Sequence, residues 1–229
     1  MDSKYRLKNL FLPLFAVALV AGCATSHIPE KSGFLPDYSR LQSVGAPAGG
    51  NRLVYASPDF TPSRYHAIKL DPVMYYPEPQ ANAEVSLETL TQIRKELDRT
   101  LRQKLGAKVQ LVDSAGPGVA QVRIAITAIG AETRALKPYQ FVPIALALTG
   151  AKAMVQGGLP RDATIAVESH VIDSVSGNLL YAAVRGGTGE RVVDAAQGRG
   201  GVQLSSLQPM IAAWTTAVAD GVQQYVKAK

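Results

Sequence analysis

The chain has 229 residues, a length that fits one good-sized domain rather than two. Hydrophobic residues make up 47% and charged residues 18%, so a packed core is within reach and wholesale disorder is excluded. A single cysteine excludes an internal disulfide framework, and a formal charge of +6 without a dense Lys/Arg stripe argues against nucleic acid as a partner.

Residues 1–22 read as a secretion signal. Lys4, Arg6 and Lys8 form a basic segment, and an apolar run broken by Pro13 follows over residues 10–20. That run is shorter than the ~20 residues a helix needs to span a bilayer. Ala21 and Gly22 then lead into Cys23. The stretch Val20-Ala21-Gly22-Cys23 resembles a bacterial lipobox. The resemblance implies cleavage before Cys23, a diacylglyceryl group on its sulfur and a palmitate-type acyl chain on its amine. Several chains anchor a protein stably where one does so only marginally, so Cys23 is expected to be a lipidation site. The resemblance also implies delivery to the cell outer membrane, facing the periplasm, in a Gram-negative host, because Ala24 stands where an aspartate would retain the protein at the inner membrane. The signal carries three basic residues and one acidic residue, Asp2, which leaves the mature part near +4.

Residues 23–51 form the lipidated N-terminus and a tether ending in GAPAGGN. Fully extended, residues 24–51 reach at most about 90–100 Å. Within them SGFLPDYSRL, residues 32–41, is too apolar for a pure linker, and Phe34, Leu35, Tyr38 and Leu41 are expected to dock on the domain. That domain is read as residues 52–229. RLVYAS predicts a strand over 52–57. YHAIKLDPVMYY is strand-like, and Pro72 makes it an edge or kinked strand.

The clearest helix follows, with Asn82 as its expected cap and Gly106 as its end. Leu90, Ile93, Leu97, Leu101 and Leu105 form one apolar stripe, and Arg94–Asp98 and Asp98–Arg102 stand at i,i+4. AKVQLVDS and VAQVRIAITAIG predict two strands joined by AGPGV, a hairpin beside the helix. Residues 138–160 are apolar, rich in small residues and nearly uncharged. They read either as a buried element capping the sheet or as a contact surface, with Phe141, Ile144, Leu146 and Leu148 as the candidate partner-binding residues. ATIAVESHVIDS and NLLYAAVRGG frame a turn with Asp173 and Gly177. In the first of these strands Ile165, Val167, Ser169 and Val171 alternate with Ala166, Glu168, His170 and Ile172. Residues 186–201 read as a flexible glycine-rich loop. The last helix starts near Leu207 with Pro209 in its first turn and Ile211, Trp214, Val218, Val222 and Val226 on its apolar face.

Four stretches, SGFLPDYSRL, AIKLDPVMYY, LKPYQFVPIALAL and AVESHVIDSVSGNLLYAAV, resemble the DUF3313 family of uncharacterised bacterial lipoproteins. The resemblance spans nearly the whole mature chain. It implies a secreted envelope lipoprotein and carries no catalytic residues over.

The residues supply no local catalytic signature. The three histidines are scattered, and His170 and Asp173, three apart on a strand, point to opposite faces. No G-x-S-x-G elbow, phosphate-loop pattern or carboxylate pair stands out. The expected fold is α+β, a mostly antiparallel sheet with two amphipathic helices packed on it. The expected function is a non-enzymatic adaptor or accessory lipoprotein that binds an envelope protein partner, with no cofactor, no metal and no nucleic acid. A periplasmic module for lipid or cell-wall glycan is the alternative, and an enzyme with a dispersed site is the third possibility.

Overall fold

The computed structural model describes residues 31–47, 49–82, 84–133, 161–192 and 201–229. Its elements in chain order are β1 (Gln42–Gly45), β2 (Asn51–Ala56), β3 (Ala67–Leu70), β4 (Met74–Tyr75), α1 (Leu87–Gly106), β5 (Gln110–Leu111), β6 (Val119–Thr133), β7 (Arg161–Asp173), β8 (Leu179–Val192) and α2 (Leu204–Gly221). A 3₁₀ turn, Val222–Gln224, follows α2.

Runs of Val, Ile and Ala make β6, β7 and β8 long enough to form the centre of one eight-stranded sheet. They pair antiparallel in sequence order. The β7–β8 turn is closed by Asp173, whose Oδ1 accepts the N–H groups of Val175 and Ser176, while Gly177 takes φ +74°. This is the turn chemistry the sequence predicts. The sheet order is β1-β2-β8-β7-β6-β3-β5, with β4 also pairing β6. β3 runs parallel to both β5 and β6. The predicted hairpin of β5 with β6 therefore does not form, because β3, from 40 residues upstream of β5, is inserted between them. Pro72 ends β3 and the chain re-enters the sheet as β4, parallel to β6 two turns of pleat further on. The class is α+β, with antiparallel pairs dominating a mixed sheet.

Both helices cover one face. The α1 stripe Leu90, Ile93, Leu97, Leu101 and Leu105 is buried against Ile68, Val122, Ile124 and Ile126 of the sheet, each such side chain contributing roughly 1.5–3 kcal/mol of burial. Ser86, not Asn82, caps α1: its Oγ accepts the Thr89 N–H at 3.0 Å. The Asn82 side chain instead closes an Asx turn on the N–H groups of Glu84 and Val85. Asp98 pairs with Arg102 at 2.8 Å, whereas Arg94 reaches the Val73 carbonyl. Lys104 joins the helices, donating to the Ala212 carbonyl and the Thr216 hydroxyl of α2.

Two expectations for the C-terminal third are corrected. Residues 186–192 belong to β8 rather than to a loop. Gly187 and Gly189 are there because α2 lies directly on the strand: a Cβ on Gly187 would overlap the Trp214 ring, and one on Gly189 the Ser206 carbonyl. Helix α2 starts at Leu204, three residues before the predicted start, so Pro209 sits inside it rather than in its first turn. Ile211, Trp214, Val222 and Val226 are buried, but Val218 is 46% exposed because it falls off the stripe that meets the sheet.

Candidate functional site

Among the described residues, the sheet's other face carries no helix. Its cover is residues 32–41, the segment that leads in from the N-terminus. Period-two alternation sends Ile165, Val167 and Val171 of β7 into the helix-side core and leaves Glu168 and His170 on the opposite face. Glu168 stands between Ala125 of β6 and Val184 of β8, and His170 between Arg123 and Ala182. Ala182 and Val184 are buried with Leu35, which is 4% exposed, and Phe34, Tyr38, Leu41, Leu53 and Tyr55 pack around them. All four docking residues expected from SGFLPDYSRL thus take part.

Tyr38 ties the segment down. Its hydroxyl donates to Glu168 Oε2 at 2.6 Å and accepts the backbone N–H groups of Gly33 at 2.9 Å and Leu35 at 3.2 Å. Residues 32–35 therefore wrap around the phenol oxygen, with Gly33 at φ +89° making the bend. The Ser32 N–H points at Glu168 Oε1 from 3.4 Å. Glu168 is 0% exposed, and burial raises its carboxyl above the usual range against the lowering effect of the Tyr38 and Ser32 bonds. The Tyr38 phenol is raised by its own burial and by its bond to that carboxyl. A carboxylate closed over in this way is a clasp: its polar capacity is spent on the chain's own N-terminal segment.

His170, 6% exposed, lies with its ring 5.0 Å from that of Phe34, which in turn lies 5.7 Å from Tyr76. Its Nδ1 is buried without a hydrogen-bond partner. Burial, and then the Arg123 charge, lower its pKa, so the neutral ring is favoured. Beyond the covered area the face is polar. Asp71 accepts from Lys69 Nζ and Gln121 Nε2, both at 2.6 Å, and Arg123 Nε stands at 3.9 Å. Partial burial alone would raise the Asp71 carboxyl, but the Lys69 and Gln121 bonds outweigh it and hold it below the usual range.

The candidates read from the sequence fall as follows. Cys23 and the proposed contact residues Phe141, Ile144, Leu146 and Leu148 lie outside the described residues, as does His27. His170 and Asp173 do point to opposite faces: Asp173 accepts from Tyr65 on the helix side at 2.9 Å. The clasp of Tyr38 on Glu168 was not legible in the sequence, since its halves lie 130 positions apart. The apolar character of residues 32–41 signalled that the segment docks, but nothing local paired Tyr38 with Glu168.

A family model described as "Protein of unknown function (DUF3313)" matches residues 30–218. It begins just before the covering segment. The chain is 30% identical over 179 residues to the uncharacterized lipoprotein YdcL of Escherichia coli K12, covering 77% of this chain and 80% of that protein; the O157:H7 protein matches equally. Among solved structures, the PelC dodecamer from Paraburkholderia phytofirmans aligns with a TM-score of 0.37 at 16% identity, over 73% of this chain and 98% of PelC. A neuraminyllactose-binding hemagglutinin homologue from Helicobacter pylori aligns with a TM-score of 0.33 at 10% identity, over 74% of this chain and 89% of that one. Likeness at these scores carries neither assembly nor ligand across. The chain belongs to the DUF3313 family, as the match over residues 30–218 shows.

Proposed function

We propose that this protein is a lipid-anchored, non-enzymatic adaptor of the bacterial envelope. It is held at the periplasmic side of the outer membrane through acylated Cys23 and presents its domain to an envelope protein partner at short range. The observation that carries the reading is the docked N-terminal segment. Because residues 32–41 are part of the folded domain, the span between the lipid and the fold is residues 24–31 alone. Those eight residues reach at most about 26–29 Å. Such a protein works close to the membrane with one end of the sheet turned toward it, as suits an adaptor more than a free-ranging catalyst. The buried Glu168 gives this reading further support, since both its oxygens face the protein's own N-terminal segment.

The alternative, a module for lipid or cell-wall glycan, draws on the row of Tyr76, Phe34, His170 and Arg123 on the same face, where Tyr76 is exposed. Crosslinking in the native envelope followed by purification of the lipidated protein separates the two. The adaptor reading expects one specific protein partner, lost on Leu146→Asp or Leu148→Asp with the fold intact, and a protein released from the membrane by Cys23→Ser. A protein that stays anchored, folded and alone refutes it. Glycan or lipid recovered with that lone protein would favour the alternative.

A further inference from the structure

Arg52 of β2 and Arg185 of β8 stand directly opposite each other in an antiparallel pair. Residues so placed project from the same face with Cβ atoms roughly 5 Å apart. The face is the helix side, because the Arg185 guanidinium lies over the Trp214 ring, 4.5 Å from its centroid. Like charges in this arrangement repel, and no described residue forms an ion pair with either of them, whereas Arg64, Arg102 and Arg161 each hold a carboxylate. The Arg52 Nε is buried without a hydrogen-bond partner. Of the Arg185 donors, one Nη2 N–H reaches the Gly49 carbonyl, at 3.4 Å. Burial, and then repulsion by Arg52, push the Arg185 pKa down to about 10.

A folded chain that leaves two adjacent guanidinium groups short of partners has left room for an anion. Each guanidinium is a planar fork of five N–H donors that fits oxyanions bidentately. A carboxylate has two oxygens and one charge, enough for one fork. A phosphate group has more oxygens and up to two charges, and can engage both forks at once.

We propose that Arg52 and Arg185 form a phosphate-binding site on the helix-side face of the sheet, with Trp214 as its apolar wall. The ligand carries its phosphate either as a free or small-molecule phosphate or as the headgroup of a phospholipid.

Trp214 is the chain's only tryptophan, so its emission reports this site. The lipidated protein is held in maltoside micelles, which carry no phosphate. It is titrated at constant ionic strength with inorganic phosphate in one arm, and with phosphatidylglycerol doped into the micelles in the other. A saturable change in emission is expected in at least one arm, and its affinity should fall at least tenfold in Arg52→Gln. That variant decides the matter, because it leaves the Arg185–Trp214 contact in place. Near-UV circular dichroism checks its fold, and Arg52→Lys, which keeps the charge and loses the fork, replaces it if the glutamine variant does not fold. A response to inorganic phosphate identifies a free-phosphate site, and a response to phosphatidylglycerol alone identifies a headgroup site. Flat emission in both arms overturns the proposal, as does an affinity unchanged by the deciding variant.

Discussion

Tyr38→Phe is the smallest change that tests how the N-terminal segment is held. It leaves the ring and removes one oxygen. That oxygen donates to Glu168 and accepts two backbone N–H groups, from Gly33 and Leu35. The Glu168 oxygen is in a fully buried residue, so its loss of a donor falls in the range of about 1–3 kcal/mol for a stranded buried polar group. The two amides are nearer solvent and can recruit water, so they add little, and a total of about 2 kcal/mol is expected. Because the segment is peripheral to the helix-side core, the loss should appear first as local opening. At about 1.4 kcal/mol per tenfold, amide-exchange protection of Gly33, Leu35 and Leu41 should drop by about thirtyfold. Protection in α1 should fall much less. A double-mutant cycle with Glu168→Gln, followed by urea unfolding, should give a coupling above about 0.5 kcal/mol, the scale expected of contacting residues. Additive effects of the two substitutions, with protection of the segment unchanged, would refute the reasoning.

Four further outcomes follow from the same structure. Gly187→Ala forces a Cβ into the Trp214 ring; overpacking should cost about 1–3 kcal/mol and shift Trp214 emission, and an unperturbed spectrum would refute the close approach of α2. Ser86→Ala removes the α1 cap and should cost about 1 kcal/mol in a denaturant melt, whereas Asn82→Ala should leave helix content unchanged. Burial raises the Glu168 pKa above 4.5, so its contribution is fully present below that value and is lost as pH rises through the folded-state value. The stability of wild type relative to Glu168→Gln should therefore decline on going from about pH 4 to about pH 8, and a flat or rising difference contradicts this; the lowered His170 acts in the opposite sense but is common to both proteins and cancels. Arg52→Gln relieves a like-charge cross-strand pair and should raise the ligand-free melting temperature by roughly 1–3 °C, with a fall contradicting the account of an unpartnered pair.

The elements that were legible beforehand are those whose cause is local. The α1 stripe from Leu90 to Leu105 repeats at the helical period, and Asp173 with Gly177 makes a turn from within its own few residues. The docking of Phe34, Leu35, Tyr38 and Leu41 was legible for a related reason: so apolar a stretch has to be covered. What escaped depends on distant partners. Glycines 187 and 189 read as loop residues because their cause, the approach of α2, lies outside the strand that contains them. β3 intrudes between β5 and β6 through parallel pairing, which no turn announces. Asn82 and Ser86 are both good caps by residue type, and only the backbone shows which one the helix uses. Alternation placed Glu168 and His170 on one face, but it was silent on what covers them.

The central claim is that the docked segment holds the domain within reach of eight residues of its lipid anchor. It is tested most directly by energy transfer from a fluorophore at Met74→Cys, an exposed position, to acceptors on lipid headgroups, with the lipidated protein in vesicles. The account predicts strong transfer that falls when Tyr38→Phe and Leu35→Ala together release the segment, because the tether then lengthens to residues 24–41. Transfer that is weak at the outset, or the same with the segment docked and released, would contradict it.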